Sequence, residues 1–189
     1  MKILGRKIIR FAKINSTQDY AKKIAGKSPA GTIVLAEKQT SGRGQFERTW
    51  SSSKGGLYFS VILKPEIDIK SHPAQIPALT IKMADAIIDA LKIKNPKIFI
   101  KPPNDIMVRT RDEGRRTRDK KIAGILTESS VTCDKIDWIV IGVGVNINNK
   151  IPKGLKNIAV SLKEIRKKNG NIKKIFKEIV KKFVKTNRT

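Results

Sequence analysis

The chain has 189 residues, a length that suits one domain with a substantial core, and it carries a formal charge of +25 at pH 7. Its single cysteine excludes an internal disulfide, and one cysteine with one histidine argues against a metal cluster built on thiolates or imidazoles. Because no apolar run approaches the roughly 20 residues of a membrane span and no signal peptide opens the chain, we expect a soluble, cytoplasmic protein without a membrane partner.

Basic residues are concentrated in two stretches. Residues 109–121 hold seven basic and three acidic side chains, and residues 163–188 hold eleven basic and two acidic ones. Neither stretch is interleaved with aromatic residues, as a platform for stacking single-stranded nucleic acid would be. We therefore favour a solvated lysine-rich surface, with a non-catalytic nucleic-acid-binding protein as an alternative supported by charge alone. An enzyme of this composition would use cations, amides and a bound metal ion rather than a histidine base or a cysteine nucleophile.

The first predicted elements are an edge strand and a short helix. Weak alternation over residues 8–14 predicts the strand, and the polar run after it supplies a helix cap. Ser16 or Thr17 should begin a helix over residues 17–25, with a hydroxyl accepting from a first-turn N–H. The same helix terminus could present donors to a carboxylate or a ureido-like group of a ligand.

Residues 37–50, here named the glycine-arginine loop, lie between two predicted strands at residues 32–36 and 57–63. The two strands bracket the loop like a hairpin with a long tip, and long tips in compact domains are usually functional. Glycines let backbone N–H groups approach a ligand, and the guanidinium groups of Arg43 and Arg48 suit phosphate or carboxylate. The loop is either an anion-binding loop or a mobile basic hairpin loop without a ligand.

A packing helix and a proline turn follow. Apolar residues recur with a helical period over residues 76–91, which predicts a helix buried on one face. Short strands at residues 98–100 and 106–108 flank a turn at residues 101–105, where two prolines fix the backbone. That turn could serve a nucleotide, or its side chains could merely cap it. Its polar side chains are Lys101, Asn104 and Asp105.

The second half of the chain predicts an exposed loop, two strands and two helices. Residues 109–119 are polar and rich in turn formers, which predicts a hairpin loop. Gly124 interrupts the next strand, residues 120–128, and Lys121 at its entry is either a pocket cation or a surface lysine. The remaining predicted elements are a strand at 138–148, a short helix at 161–168 and a basic amphipathic helix at 172–184. We expect an α+β fold with a mixed, mostly antiparallel sheet and packed helices.

Five motifs, in order along the chain, resemble those of the catalytic domain of biotin protein ligases. They are Asn-Ser-Thr-Gln at 15–18, Gln39 with Ser-Gly-Arg-Gly at 41–44, Lys-Pro-Pro-Asn-Asp at 101–105, Lys-Ile-Ala-Gly-Ile-Leu-Thr-Glu at 121–128 and Gly-Val-Gly-Val-Asn-Ile-Asn-Asn at 142–149. The resemblance implies a fold like that of class II aminoacyl-tRNA synthetases and biotin synthetase. The chain is similar to the archaeal type, which has no N-terminal winged helix.

The resemblance also implies a two-step, ATP-dependent reaction. Biotin and MgATP would give biotinyl-5'-AMP and pyrophosphate, after which a specific lysine of a biotin carboxyl carrier protein would take the biotinyl group. A lipoate-type protein ligase shares this logic and is the alternative within the fold, although the arrangement of Gln39 and Gly-Arg-Gly favours biotin. Members of the family often form homodimers, so a homodimer is also among our expectations.

Functional residues are carried over motif by motif. The residues expected to be catalytic are Lys121, Arg43 and Arg48. Those expected to bind biotin are Ser16, Thr17, Gln18, Gln39, Arg43, Gly44, Gln45, Lys121 and Gly124. Those expected to bind ATP are Arg43, Arg48, Trp50, Lys101, Asn104, Asp105 and Asn146. The motifs assign no ligands for the Mg²⁺ ion.

The chain departs from the family pattern at three places. Gln45 stands where the family usually has a basic residue, so we expect weaker retention of the adenylate. Pro102 replaces the tryptophan of the family's turn. The sequence also ends after its basic helix, where relatives commonly continue into a small β-barrel, so we expect residues 1–189 to form a single catalytic domain without that barrel.

Overall fold

The computed structural model describes residues 5, 7–66, 70, 72–93, 98–111 and 117–186, and the statements below concern those residues. The strands are β1 (Ile8–Phe11), β2 (Ile33–Ala36), β3 (Leu57–Leu63), β4 (Ile98–Lys101), β5 (Asp105–Arg111), β6 (Thr117–Thr132) and β7 (Lys135–Val145). The helices are α1 (Thr17–Ala25), α2 (Gln75–Leu91), α3 (Leu162–Arg166) and α4 (Ile172–Thr186). No helix of the described part is long and apolar enough to cross a membrane.

All seven of these strands belong to one sheet, in the order β1-β2-β3-β7-β6-β5-β4. β1 pairs with β2 in parallel, and the other neighbours are antiparallel. The predicted α+β class with a mixed, mostly antiparallel sheet is therefore confirmed. The antiparallel pairing of β2 and β3 also confirms that these strands bracket the glycine-arginine loop as a hairpin.

One face of the sheet is buried under α2 and α4, which contact each other. Side chains of β3, β5, β6 and β7 alternate in direction, and those on this face form the main core with the apolar stripes of the two helices. Phe59 of β3 meets Phe176 of α4 edge to face, with ring centroids 5.3 Å apart. The lysines of α4 at 173, 174, 177 and 181 are exposed, as expected for an amphipathic helix.

The opposite face of the sheet is only partly covered by α1. The helix begins where predicted, because Ser16 Oγ accepts a hydrogen bond of 3.2 Å from the backbone N–H of Asp19. Ala21 and Ala25 pack in a second apolar cluster against Val34, Ile62 and Val140 of β2, β3 and β7. The rest of this face is free to form the wall of a cavity.

The prediction of a loop over residues 109–119 was wrong for residues 109–111 and 117–119. β5 continues to Arg111 and β6 begins at Thr117, with Arg109 opposite Asp119 and Arg111 opposite Thr117. Arg109 Nε donates to Asp119 Oδ1 over 2.9 Å. Polar composition signals exposure, and an exposed antiparallel ribbon satisfies its backbone groups as well as a loop does. Residues 112–116 lie outside the described residues.

Several predicted strand ends were also displaced. β6 extends to Thr132 and β7 begins at Lys135, so their hairpin is longer than predicted and turns at Cys133 and Asp134. Both turn residues have positive φ, 47° and 65°, a conformation that is more frequent for Asp than for most residue types but uncommon for Cys. At the other end, β7 stops at Val145, three residues before the predicted end. β1 likewise stops at Phe11 rather than at residue 14.

Candidate active site

A cavity of about 550 Å³ opens on the sheet face that α1 leaves uncovered. Its floor comes from β3, β6 and β7, and its walls come from α1, the glycine-arginine loop, the turn before β5 and the segment after β7. The structure brings all of the predicted site residues except Ser16 to this cavity. Those at its wall are Thr17, Gln18, Gln39, Arg43, Gly44, Gln45, Arg48, Trp50, Lys101, Asn104, Asp105, Lys121, Gly124 and Asn146.

Glycines in the floor let two side chains lie flat on the sheet. A Cβ atom at Gly142 would come within 2.4 Å of Gln18 Oε1. A Cβ atom at Gly144 would come within 2.5 Å of the indole of Trp50, and one at Gly124 within 3.0 Å of the same ring. The interruption of β6 and β7 by glycine therefore has a packing reason, which is the close approach of these side chains to the backbone.

At the end of the cavity next to α1, polar side chains form a continuous hydrogen-bond network. Gln18 is 3% exposed, and its Nε2 donates to Glu128 Oε2 over 2.8 Å. Ser60 Oγ lies 3.1 Å from Gln18 Oε1 and 3.0 Å from Thr17 Oγ1, and it can donate to either. Thr17, Gln18, Ser60 and Gln39 are here named the α1 end.

Gln39 connects the α1 end to the glycine-arginine loop. Its Oε1 accepts from the backbone N–H and the hydroxyl of Thr17, over 2.8 and 3.1 Å. Its Nε2 donates to Ser52 Oγ over 2.8 Å, and Ser52 Oγ donates to the backbone carbonyl of Trp50 over 3.1 Å. Two donors facing one oxygen fix the orientation of the Gln39 amide.

Glu128 anchors the network behind the α1 end. Its Oε1 accepts from Lys22 Nζ over 2.7 Å. Partial burial by itself raises the pKa of Glu128, but hydrogen bonds from Lys22 and Gln18 and the positive charge of Arg43 outweigh it, so the pKa lies below its usual range. Glu128 is therefore held as a carboxylate, which can only accept hydrogen bonds.

The opposite end of the cavity combines cations with amides and is here named the lysine end. Lys121 Nζ lies 2.6 Å from Asp105 Oδ1 and 5.1 Å from the centre of the Trp50 ring. A ligand anion could compete with Asp105 for the ammonium group of Lys121. The residues of the lysine end are Lys101, Asn104, Asp105, Lys121, Asn146 and Asn149.

Two buried polar atoms at or beside the lysine end have neither a hydrogen bond nor an ion pair among the described residues. They are Trp50 Nε1 and Asn149 Oδ1. Asn149 is 4% exposed, and its Nδ2 donates to Asn146 Oδ1 over 2.9 Å. By contrast, Asn104 Nδ2 donates to the backbone carbonyl of Ile125 over 2.7 Å. Buried polar atoms without partners are uncommon and indicate a ligand or water that completes them.

The glycine-arginine loop folds as a small hairpin at the cavity wall. Gly44 N donates to Arg48 O over 2.7 Å, and Trp50 N donates to Gly42 O over 2.8 Å. At the tip, Phe46 has a φ of 52°, an uncommon conformation for a bulky residue, and its side chain is 86% exposed. The loop thus brings both of its arginines to the cavity and leaves its apolar tip in solvent.

A model of the biotin/lipoate A/B protein ligase family matches residues 10–146. The chain belongs to this family. It is 35% identical, over 86% of its length, to the bifunctional ligase/repressor BirA of Bacillus subtilis. It is 31% identical, over 76% of its length, to BirA of Escherichia coli. These matches cover 48% and 41% of the two relatives, so the chain spans about half the length of the curated relatives it matches.

Among solved structures of the family, the biotin protein ligase of Aquifex aeolicus in complex with biotin and ATP is similar to this chain. The TM-score is 0.73 at 28% sequence identity, and the match covers 97% of this chain and 71% of that one. A biotin protein ligase of Leishmania major shares the fold, with a TM-score of 0.70 at 24% identity.

Sequence reasoning missed several residues of the site. Ser60 was hidden in an apolar strand, although a lone polar residue within Leu-Tyr-Phe-Ser-Val-Ile-Leu is itself a signal. Asn149 is the last residue of the family motif at 142–149, but the motif comparison assigned it no role. Glu128 ends another motif and lies behind the cavity wall, so only its contacts reveal it. Ser16 caps α1 and is not at the wall, and its role in biotin binding stays a prediction.

Carboxylates at the cavity wall are few. Asp105 pairs with Lys121, and Asp119 pairs with Arg109. The hydrogen bond from Arg109 is the main reason that the pKa of Asp119 lies below its usual range. The described residues hold no group of three or more His, Cys, Asp or Glu that could bind a metal ion. This donor set fits a metal ion such as Mg²⁺ only if substrate phosphates supply the other ligands.

Proposed function

We propose that the chain activates biotin with ATP and transfers the biotinyl group to a lysine of a biotin carboxyl carrier protein. One observation carries the proposal: a single cavity joins a neutral, hydrogen-bonded polar end to an end lined by cations. A biotinyl-adenylate needs both environments, one for the ureido ring and one for the phosphate and nucleoside. Membership of the biotin/lipoate ligase family supports the same conclusion.

In the first step, the biotin carboxylate attacks the α-phosphorus of ATP, a bond from acyl oxygen to phosphorus forms, and pyrophosphate leaves. A carboxylate is ionised at neutral pH, so the step needs no base, only alignment and neutralisation of two anions. Arg43, Arg48 and Lys121 are cations at the cavity wall that can neutralise them, and Lys101 lies at the same wall. A ligand anion would compete with Asp105 for Lys121.

In the second step, the ε-amino group of the carrier lysine attacks the acyl carbonyl. A carbon–nitrogen bond forms, the bond to AMP breaks, and the amine releases a proton. Before transfer, the glycine-arginine loop would cover the adenylate and protect the mixed anhydride from water. Mg²⁺ would arrive with ATP and neutralise phosphate charge, and Asp105 and Asp119 are the carboxylates at the wall that could contribute ligands.

The α1 end favours biotin over lipoate. Thr17, Gln18, Gln39 and Ser60 surround this end with hydroxyl and amide groups. The cyclic urea of biotin has two N–H donors and a carbonyl acceptor to pair with such groups, whereas the dithiolane ring of lipoate has none. Burying the dithiolane here would remove water from the remaining lone pairs of these groups without replacing its hydrogen bonds, which lowers affinity.

The test is isotope exchange between ATP and pyrophosphate, measured with biotin and, in parallel, with lipoate. We expect exchange that depends on biotin and is much weaker with lipoate. A second assay supplies a carrier domain and measures its biotinylation by mass spectrometry. Exchange with neither acid would contradict an enzymatic function. Tight, sequence-selective binding to duplex DNA at moderate salt would instead support the nucleic-acid alternative.

A further inference from the structure

The amide of Gln18 is surrounded by acceptors on one side. Its Nε2 lies 2.8 Å from Glu128 Oε2, 3.3 Å from the backbone carbonyl of Val140 and 3.4 Å from that of Leu126. An amide oxygen at this position would face only other oxygens, so the nitrogen must point here. Gln18 Oε1 consequently points to Ser60 and the cavity floor.

Glu128 provides most of this orientation. Its contact with Gln18 is shorter than either carbonyl contact and is the charged one of the three. Hydrogen bonds to an ionised acceptor are roughly twice as strong as those between neutral groups. The other oxygen of Glu128 accepts a hydrogen bond of 2.7 Å from Lys22, so the two carboxylate oxygens have separate partners. Glu128 itself is not at the cavity wall.

The orientation of Gln18 determines which groups the α1 end offers to a ligand. Ser60 Oγ donates to Gln18 or Thr17, and Thr17 Oγ1 donates to Gln39 Oε1. The hydroxyl hydrogens are therefore engaged within the network, while the oxygens of Gln18, Thr17 and Ser60 keep lone pairs free. The part of the α1 end formed by these three residues presents acceptors, and the matching ligand groups are N–H donors.

We propose that Glu128 is a positioning residue for substrate recognition: by fixing the Gln18 amide, it makes the α1 end select a ligand with cyclic-urea N–H groups. This inference rests on the proposed function and goes beyond it, because Glu128 acts through Gln18 and touches no ligand. Replacing the carboxylate by an amide would let the Gln18 side chain turn over and present its nitrogen to the cavity.

The test uses Glu128→Gln in the full chain, with biotin-dependent ATP–pyrophosphate exchange as the assay. We expect the KM for biotin to rise about tenfold, the effect of losing one charge-assisted hydrogen bond, while the KM for ATP stays the same. A general loss of structure would instead change both KM values or lower kcat alone. Either of those results, or an unchanged KM for biotin, would overturn the inference.

A second measurement uses a biotin analogue in which one ring N–H is replaced by oxygen. The native chain should reject this cyclic carbamate, because an acceptor of the protein would then face an oxygen of the ligand. In Glu128→Gln, the preference for biotin over the analogue should fall about tenfold, since the turned amide offers a donor instead. An unchanged preference would contradict the proposed role.

Lys22→Met is the matched control. It removes the ion pair with Glu128 but leaves the carboxylate against Gln18, so the KM for biotin and the preference over the analogue should match those of the native chain. Equal defects in both variants would show that the ion pair matters and that the amide orientation does not. If Glu128→Gln fails to fold, Glu128→Asp serves instead, with a smaller rise in the KM for biotin expected from its shorter side chain.

The native chain separates this inference from the proposed function. Absence of biotin-dependent exchange in the native chain would contradict the function itself, and the inference would fall with it. Normal exchange by the native chain, with an unchanged KM for biotin in Glu128→Gln, would contradict the inference alone.

Discussion

The two ends of the cavity differ in how far the protein satisfies its own polar groups. At the α1 end, Thr17, Gln18, Gln39 and Ser60 all bond to other protein groups. Near the lysine end, Trp50 Nε1 and Asn149 Oδ1 are buried and have no partners within the described ranges.

This difference indicates two modes of recognition. A network that is already ordered in the free protein is preorganised. Ligand binding therefore does not have to offset the entropic cost of ordering these side chains. Polar atoms buried without partners destabilise the free protein, and a ligand that completes them gains affinity. We therefore expect the α1 end to determine which ligand is selected, and the lysine end to gain stability when a ligand binds there.

The largest effect should come from Lys121→Met at the lysine end. Removing this cation should lower kcat for biotin-dependent exchange by about 10²–10³-fold, because the charge that develops at phosphate loses one of the preorganised cations of the cavity wall. Lys177→Met, on the exposed face of α4, makes the same charge change as a control and should leave exchange unaltered. A Lys121→Met protein with native kcat would remove the proposed chemistry from the lysine end.

Gly144→Ala tests the contact between the two ends. The new methyl group would lie 2.5 Å from the Trp50 ring, so the indole must move. We expect exchange to fall about tenfold and stability to fall by about 1–3 kcal/mol, the usual effect of overpacking. Trp50 fluorescence in a Trp138→Phe background should report the displaced ring.

Gly154→Ala is the matched control for that substitution, because a methyl group there would meet no atom within 4 Å. If Gly144→Ala left both the fluorescence spectrum and the exchange rate unchanged, the position of Trp50 over the floor would be irrelevant to function.

Gln45→Arg should strengthen retention of the intermediate. A guanidinium at this position of the cavity wall would add a charge-assisted contact to phosphate, so the half-life of bound biotinyl-adenylate should lengthen about tenfold. Filtration of the preformed complex, followed by quantification of the adenylate that remains bound, measures this half-life. Gln75→Arg, in α2, controls for added charge. An unchanged half-life would end the interpretation of Gln45 as a cause of leaky release.

Asn149→Ala and Asn148→Ala should give opposite results although the residues are adjacent. Asn149 has a buried oxygen without a partner at the lysine end. Replacing this residue should raise the KM for ATP several-fold, about the effect of losing one hydrogen bond to the ligand. Asn148 instead exchanges two hydrogen bonds with the backbone of Gly170, at 2.9 and 2.8 Å. Its replacement should lower the melting temperature and leave the KM for ATP alone, and a reversed pattern would contradict the comparison of the two ends.

The smallest effect concerns pH and the α1 end. Because the folded state lowers the pKa of Glu128, its contribution to the free energy of unfolding is complete above the ordinary pKa that the group has in the unfolded chain. That contribution is lost as pH falls through the lower folded-state pKa. Melting temperatures between pH 7 and pH 3 should therefore decrease less for Glu128→Gln than for the native chain. If the melting temperatures of both proteins decreased equally with pH, the contacts of Glu128 with Lys22 and Gln18 would not stabilise the folded state.

Local patterns determined most of the elements. Some features depend only on residues that are close together in the chain, so they can be predicted from the sequence. Examples are the cap at Ser16, the helical period of α2 and the apolar stripe of α4. The loop predicted over residues 109–119 failed because composition reports exposure and not pairing. The motifs likewise predicted which residues reach the cavity, because each motif keeps its residues together in the chain.

Only the tertiary structure decided how those residues are connected. Gln18 and Glu128 are 110 positions apart, and Thr17 and Ser60 are 43 apart, so no local pattern could pair them. Sheet register sets both contacts, because it brings β3, β6 and β7 together beneath α1. The sequence determined the chemical groups of the site, and the fold decided their orientation, because hydrogen-bond direction depends on neighbours that only folding brings together.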